Sequence, residues 1–475
     1  MKNITQNTVI KNVQIESMTA EGKCVARIDG QVVFVEKVAP GDVVDLKITG
    51  KRKKFLHAQP TDFQSYSEHR EKPFCEHFGV CGGCKWQHIN YETQLFYKRQ
   101  QVIDSLERIA KVNLPEIEPI IPSGETAYYR NKLEFTFSNK RWLTYEEVRS
   151  DQELDRNALG FHMPGRFDKI IDIEHCHLQQ DPSNEIRLAL KEYAKKNQLD
   201  FYELSKFRGL LRNLIVRTSN IGEIMVIVQF GANEPTSIES VMQFLKEKFP
   251  QITSLQYVIN TKGNETFHDL EVVRYSGQPY IIEEMDAGNG GKEVLKFQIG
   301  PKSFFQTNSG QAQKLYEITK KYAQLSGDEI VYDLYTGTGT IANFVARSAQ
   351  KVIGLEYVEQ AIEDAKVNSK INKIDNTDFF AGDIKDLLNT SFLDKHGYPN
   401  VIITDPPRAG MHVNVIDMLL KAEAEKIVYV SCNPGTQARD LALLDSKYKV
   451  EAVQPVDMFP HTHHTECVVL LELRE

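Results

Sequence analysis

Glu329-Ile330-Val331-Tyr332-Asp333-Leu334-Tyr335-Thr336-Gly337-Thr338-Gly339-Thr340 is the stretch that decides the fold of the C-terminal part of this chain. A short apolar run ends at Asp333-Leu334, and the glycines that follow allow a tight turn into a helix. Such a junction frees N–H groups at the helix N-terminus and lets backbone approach a ligand closely. A lone Gly-x-Gly is weak by itself, so the flanks matter. Lys351-Val352-Ile353-Gly354-Leu355, Val401-Ile402-Ile403-Thr404 and Lys426-Ile427-Val428-Tyr429-Val430 repeat the apolar run, with helical stretches between them. That alternation, from about Val294 onward, predicts a doubly wound parallel sheet with its ligand at the carboxyl ends of the strands. Glu356, 17 residues after Gly339, ends the second strand, where a carboxylate can bond ribose hydroxyls. Gly382-Asp383 ends a third, where it can meet an adenine.

With 475 residues, the chain is too long for one core, and 41% hydrophobic with 26% charged residues is ordinary for a globular protein of two to four domains. Met1-Lys2-Asn3-Ile4-Thr5-Gln6 shows no apolar leader, and no stretch approaches the roughly 20 apolar residues of a membrane span. A cytoplasmic, unanchored monomer is expected. Seven cysteines, three of them between Cys75 and Cys84, suit a metal or redox site in a reducing compartment better than disulfides. The net charge of −8 argues against indiscriminate nucleic-acid binding. Through Pro60, however, ten Lys or Arg face six Asp or Glu, and Lys51-Arg52-Lys53-Lys54 are adjacent. Such a run is either a solvated loop or an RNA contact.

The expected organisation is a multidomain α/β protein. Residues 1–62 alternate as short strands, with turns at Asp29-Gly30 and Pro40-Gly41-Asp42, and predict a five-stranded OB-like barrel. Residues 63–91 and 120–290 mix runs such as Ile224-Met225-Val226-Ile227-Val228 with a helix over 182–197, and read as a central α+β domain. Residues 92–119 carry Leu95, Val102, Leu106 and Ile109 at helical spacing, a helix expected to pack on the catalytic domain. Residues 291–475 form the Rossmann-like domain.

Three motifs carry chemistry. Asp405-Pro406-Pro407-Arg408-Ala409-Gly410 follows the fourth strand, where prolines stiffen the loop and an aspartate can orient a ligand. Cys432 follows the fifth, in Ser431-Cys432-Asn433-Pro434, and Glu466 closes Asp457-Met458-Phe459-Pro460-His461-Thr462-His463-His464-Thr465-Glu466. A thiolate can add to an electron-poor ring, and a carboxylate can then remove a proton from it. The thiol needs either a depressed pKa or loss of its proton during attack. Cys467 reads as packing, and His461, His463 and His464 as a polar turn rather than a metal site.

The glycine loop with Glu356 and Asp383 resembles the S-adenosylmethionine loops of class I methyltransferases, and the missing Gly-x-Gly-x-x-Gly fingerprint disfavours NAD. Together with Asp405-Pro-Pro-Arg408, the Cys432 and Glu466 motifs and Phe304-Phe305-Gln306-Thr307-Asn308, the chain resembles the RNA uracil-5-methyltransferase family over nearly its whole length. The resemblance implies that Gln306, Tyr335, Glu356, Asp383 and Asp405 line the cofactor and base site, with Cys432 as nucleophile and Glu466 as base. Thr340 departs from the asparagine of several members, and no contact is assigned to it. Residues 1–62 resemble the TRAM domain, an RNA-binding module, through Gly22, Gly30 and Val38-Ala39-Pro40-Gly41-Asp42.

Cys75-x5-Cys81-x2-Cys84, with Cys176 as the best fourth ligand, provides four thiolates that fit zinc or an iron-sulfur centre equally well. The family resemblance implies a [4Fe-4S] cluster, as in members acting on large-subunit ribosomal RNA, with a structural role. The implied activity is C5 methylation of a flipped-out or looped uridine in 23S ribosomal RNA. A tRNA uracil-5-methyltransferase is the rival, disfavoured because tRNA members generally lack both barrel and cluster cysteines. A noncatalytic iron-sulfur RNA-binding factor is opposed by the intact Cys432 and Glu466. Tyr128-Tyr129-Arg130-Asn131-Lys132 and Arg208-Gly209-Leu210-Leu211-Arg212-Asn213 are the expected RNA contacts.

Overall fold

The structure, a computed structural model, describes residues 5–475. Met1 to Ile4 of the stretch expected to lack a leader lie outside the described residues. Among the described residues no helix is long and apolar enough to cross a membrane.

The N-terminal sheet comprises β1 (Val9–Gln14), β2 (Ser17–Met18), β3 (Cys24–Ile28), β4 (Gln31–Val35), β5 (Val43–Lys51) and β6 (Phe55–Ser65), in the order β1-β5-β6-β4-β3-β2. Five strands were expected and six are found, because the first is broken by a bend. Only Ile15 and Glu16 separate β1 from β2, and their N–H groups donate to Asp42 O at 2.9 Å and Val25 O at 2.8 Å. One bent segment therefore pairs with both edges and closes the sheet on itself, which removes the exposed edges. Alternate residues Ala26, Val33, Val35, Val44, Leu46, Ile48 and Leu56 fill the barrel. Asp42 fastens the Val38–Asp42 turn to the next segment: its buried carboxylate accepts from Ala39 N (2.6 Å) and Ser67 N (2.9 Å) and pairs with Arg70 (2.8 Å).

The central sheet contains β7 (Lys132–Ser138), β8 (Ala158–Met163), β9 (Arg166–Asp172), β10 (Leu211–Thr218), β11 (Ile224–Phe230), β12 (Ser254–Ile259) and β13 (Val272–Gly277), ordered β13-β12-β11-β10-β7-β8-β9. Only β11 and β12 run parallel, joined by the helix Pro235–Lys248. That helix and Ser183–Lys196 cover one face through Ile186, Leu190, Val241 and Leu245. A hairpin of β14 (Ile281–Asp286) and β15 (Val294–Ile299) follows. The expected boundary at 290/291 falls in its turn, and Met285, Leu295 and Phe297 join the core of the C-terminal domain with Ala312, Phe344 and Val428. A two-stranded hairpin cannot bury its own apolar face, so it takes cover where that core is.

The C-terminal sheet contains β16 (Ile330–Leu334), β17 (Lys351–Glu356), β18 (Thr377–Ala381), β19 (Val401–Thr404), β20 (Lys426–Ser431), β21 (Tyr448–Val456) and β22 (Glu466–Leu473). Their order is β18-β17-β16-β19-β20-β22-β21. The first five are parallel and nearly continuously apolar, as strands covered on both faces must be. The order reverses between β16 and β19, which opens the crevice where such sheets bind ligands. In contrast to an all-parallel sheet, β22 runs antiparallel between β20 and β21.

The helix Tyr91–Ser105, ending in a π turn over Leu106–Ala110, lies against this domain through Val102, Leu106 and Ala110. Its buried face differs from the apolar one expected: Gln94 and Lys98 are buried, while Ile109 is 49% exposed. Two polar residues, four apart and therefore on one helix face, turn inward because the catalytic loop supplies their partners.

Candidate active site

The β20–β22 pairing brings the two reactive side chains together. Ser431, the last residue of β20, is paired with Cys467, so Cys432 follows just past the strand end while Glu466 opens β22 one residue before Cys467, and the field of Glu466 reaches the thiol. On its other side Glu466 is paired with Val456 of β21. Asn433 then caps the helix Pro434–Leu444 by accepting from Gly435 N (3.1 Å), and Pro434 takes the first helical position, where a missing N–H costs nothing. Asn433 Nδ2 and Thr436 Oγ1 both donate to Arg408 O at 3.1 Å, locking the Asp405–Gly410 loop onto the cysteine loop. Gly410 needs to be glycine: its φ is +77° and a Cβ would lie 2.6 Å from Arg439 Nη2.

Cys432 is half-buried and Glu466 is buried. Burial pushes the Cys432 thiol up to about 11, Glu466 and Asp405 add to the rise, and Arg408 opposes it. Burial, then Asp405, pushes Glu466 up to about 8, again opposed by Arg408. Desolvation pushes Asp405 up to about 7. At pH 7 the resting site therefore holds a neutral thiol, a largely protonated Glu466 and an Asp405 about half ionised. Of the two routes to a nucleophile left open by the sequence, a depressed thiol pKa is absent from this environment.

The cofactor edge is equally ordered. Asp333, buried at the end of β16, accepts from Thr336 Oγ1 and Ala342 N, and so fixes both ends of the glycine loop. Tyr335 and Gly339 have φ of +63° and +73°, and a Cβ on Gly339 would sit 2.9 Å from Ala365 Cβ. Glu356 accepts from Gly337 N (3.2 Å) and Val358 N (3.0 Å). Tyr335 lies in the fields of Glu356 and Asp383, and its backbone neighbour Leu334 O receives Asp405 N at 3.3 Å. Asp383 is half-buried and pairs with Lys385 at 2.6 Å. Gln306 joins through its own segment, since Thr338 Oγ1 is 3.5 Å from Phe304 O. Tyr335, Glu356, Asp383 and Asp405 lie along this edge, and Gln306 follows Phe304, which touches it, by two residues; Thr340 instead opens the helix as its first residue.

The loop that carries Glu466 is held by residues the sequence did not single out. Lys98, fully buried, donates to Asp457 Oδ1 at 2.5 Å and Phe459 O at 2.9 Å, and Tyr91 Oη donates to Asp457 Oδ2 at 2.8 Å. Gln94 accepts from His461 N (2.9 Å), while Asn308 and Gln311 donate to Met458 O (2.9 Å) and Asp457 O (2.8 Å). A lysine in an amphipathic helix looks solvated in sequence, and no local signal shows that a segment 359 positions away will cover it. Cys467 is buried in the sheet, consistent with packing.

Cys75, Cys81, Cys84 and Cys176 line one cavity of about 370 Å³, walled also by Phe78, Leu133, Phe161 and Ile173. Asn184 grips the last of them, accepting from Cys176 N (2.8 Å) and donating to its carbonyl (3.3 Å). Gln87 accepts from Cys75 N at 3.2 Å. Burial raises all four thiols, Cys84 to about 12 and Cys176 to about 11; repulsion from the other cysteines adds to the rise of Cys81, Cys84 and Cys176, and Glu76 to that of Cys75. As they stand the four are neutral thiols, and all four would become thiolates only around a cationic centre. Among the described residues, no group of three or more His, Cys, Asp or Glu is disposed to hold a metal ion.

The two expected RNA contacts divide. Arg212 is buried and donates to the carbonyls of Asn260 (2.7 Å), Lys262 (2.6 Å) and Asn264 (2.6 Å), and Asn213 is buried beside it, so both are structural. Arg208 remains on the surface in a pair with Glu203. Tyr129 is buried, and its hydroxyl donates to Pro460 O; Asn131 donates to Gln306 O at 2.9 Å. Of that pentapeptide, Tyr128 stays exposed, with its hydroxyl between His175 and His177.

Comparison with known proteins agrees with this geometry. Residues 276–474 match the family model described as tRNA (Uracil-5-)-methyltransferase, and residues 8–61 match the TRAM domain. A protein of Bacteroides thetaiotaomicron named an uncharacterized RNA methyltransferase is 58% identical, over 96% of this chain and 100% of its own. One of the same name from Porphyromonas gingivalis is 54% identical, over 97% and 99%. The crystal structure of Pyrococcus abyssi tRNA (uracil-54, C5)-methyltransferase in complex with S-adenosyl-L-homocysteine is 27% identical, with a TM-score of 0.74, over 97% of this chain and 100% of that one. That full-length match to a tRNA enzyme weakens overall architecture as a ground for excluding tRNA.

Proposed function

Because the chain belongs to the RNA uracil-5-methyltransferase family, we propose that it methylates C5 of a uridine in 23S ribosomal RNA through a covalent adduct with Cys432. The observation that carries this reading is that Cys432 and Glu466 flank the last rung of the β20–β22 ladder, with Asp405 and Arg408 acting on both. Uracil C5 is a poor nucleophile until a group adds at C6. Cys432 forms the S–C6 bond as its S–H bond breaks, and the electron pair of the C5–C6 double bond moves toward C5 and O4. Asp405, about half ionised near pH 7, is the neighbouring base suited to accept that proton. Bound S-adenosylmethionine supplies an electrophilic methyl group. Glu466, as carboxylate, then removes the C5 proton; the C5–C6 double bond re-forms and the Cys432 thiolate leaves. Arg408 balances the negative charge that gathers on Cys432, Asp405 and Glu466.

The same reading assigns a [4Fe-4S] cluster to Cys75, Cys81, Cys84 and Cys176. Four thiols lining one cavity support it. The cluster would supply cross-linking of the Cys75–Cys84 loop to the central domain, and no step of methyl transfer passes through it.

A tRNA substrate is the second reading, favoured by the full-length similarity to the Pyrococcus abyssi enzyme. The test offers unmethylated 23S ribosomal RNA and tRNA transcripts separately, with labelled methyl donor. Label in 5-methyluridine of ribosomal RNA alone is expected; label in tRNA alone reassigns the substrate. Cys432→Ala should abolish transfer and leave S-adenosylmethionine binding intact, and normal turnover by that variant overturns the covalent mechanism.

A further inference from the structure

A small cleft next to the catalytic loop is absorbed by none of these roles. It measures about 210 Å³ and is lined by Gly82, Gly83, Lys85, Arg130, Arg408, Phe459, Thr462, His463 and His464. Three separate segments, the cysteine loop, the start of the central domain and the Asp405–Gly410 loop, each bring one permanent cation to it. None of Lys85, Arg130 and Arg408 forms an ion pair with a carboxylate among the described residues. Their neighbours inside the cleft are neutral: Arg130 lies 5.5 Å from the Phe459 ring, and Arg408 Nη2 is 3.5 Å from His464 Nε2. Arg130 Nε and His463 Nδ1 are both buried without a hydrogen-bond partner. Unpaired buried donors among three unpaired cations call for an anion.

We propose that this cleft is a subsite for a backbone phosphodiester of the RNA strand that carries the target nucleotide. The proposal rests on the reading above, that the substrate is RNA. Arg408 belongs to both places, facing Cys432 and Glu466 as well as the cleft. A uracil seated on Cys432 therefore has its sugar-phosphate chain beside the cleft mouth. A phosphate oxygen accepts charge-assisted bonds from guanidinium and ammonium groups, and the glycines Gly82-Gly83 let backbone come close. The two histidines respond to the same uncompensated field. After burial, His464 and then Lys85, Lys98 and Arg408 hold His463 to about 3, while Arg408, Lys98, Lys85 and Arg130 hold His464 to about 4. Both rings are consequently neutral donors or acceptors at physiological pH and do not repel an incoming RNA strand further.

Lys85 is exposed and lies outside the catalytic constellation, so Lys85→Gln isolates the subsite. One phosphate contact to single-stranded RNA scales as salt concentration to a power of about −0.7, roughly five-fold in affinity at 0.1 M salt. Filter binding of the 23S and tRNA transcripts to whole protein, from 0.05 to 0.4 M potassium chloride, should give Lys85→Gln a Kd raised about five-fold at 0.1 M. Its log–log salt slope should be shallower by about 0.7, while Lys85→Arg keeps the wild-type slope. Affinity for S-adenosylmethionine should stay unchanged. An unaltered slope overturns the proposal. So does a loss confined to S-adenosylmethionine affinity, which would give the cleft to the carboxylate of the methyl donor. Failure of wild-type protein to methylate either RNA is a separate outcome and strikes the function itself.

Discussion

Replacing Lys98 with methionine should destabilise the protein far more than a helix-surface substitution, which usually stays within about 0.5 kcal/mol. The ammonium and its partner Asp457 are both fully buried, 2.5 Å apart. Methionine roughly matches the lysine stem but leaves the Asp457 carboxylate in the interior, with only Tyr91 Oη (2.8 Å) and Phe459 N (3.1 Å) donating to it. Removing one member of such a pair costs about 3–5 kcal/mol. For a cooperative unit of 150–250 residues that is a fall of about 6–20 °C in midpoint. Burial lowers the Lys98 pKa, and Asp457 opposes that fall. Asp457→Asn on top of Lys98→Met removes the stranded charge and should recover at least half of the loss, since neutral replacement of a buried pair is often nearly neutral. Thermal and urea unfolding of the wild type, both single variants and the double variant give the coupling energy directly. A Lys98→Met variant within about 1 kcal/mol of wild type, or a double variant no better than Lys98→Met, would refute the clamp.

Glu466→Gln should add to RNA and transfer methyl but fail to release, so a protein–RNA adduct resistant to denaturing electrophoresis accumulates; an inactive variant without adduct reassigns the base. Glu466 works as carboxylate and burial places it at about 8, so its active fraction grows about ten-fold from pH 6 to 7 and levels off above 8. An adduct-release rate that stays flat between pH 6 and 8 contradicts that assignment. Protein purified without oxygen should contain iron and sulfide, and Cys176→Ser should lose most of both; stoichiometric zinc in their place overturns the cluster.

Much of the C-terminal domain was legible because its strands are continuous apolar runs and its ligand edge carries glycines and acids at fixed offsets. Asp333-Leu334 to Thr340, Glu356 and Asp383 each ended where the pattern put them. The barrel was legible by alternation, but its closure depends on a bend at Ile15-Glu16 that two-residue periodicity cannot reveal. Residues whose environment comes from distant segments were read least well. Arg212 looked like an RNA contact because an arginine near glycines and asparagine suits a phosphate, yet three backbone carbonyls from 260–264 take its guanidinium. Lys98 and Gln94 broke the apolar face of their helix for the same reason, and the hairpin of β14 and β15 went to the core that could cover it. The raised pKa of Cys432 was illegible too, since it comes from burial and from two acids on other elements.

The Ser431–Cys467 rung, which brings Cys432 and Glu466 together, also sets which sequence changes this enzyme can tolerate. Residues inserted between Thr462 and Thr465, beyond the clamped Asp457–His461 stretch, would lengthen a loop at a cost that grows only slowly with its length. One residue inserted or removed within β22 is another matter, because side chains alternate across a strand. A single-residue slip would turn Glu466 to the opposite face of the sheet and bring a residue such as Thr465 or Cys467 opposite the nucleophile. The spacing between nucleophile and base is thus elastic along the chain and quantised across the ladder, and relatives that differ in loop length but keep the chemistry should differ only outside the strand.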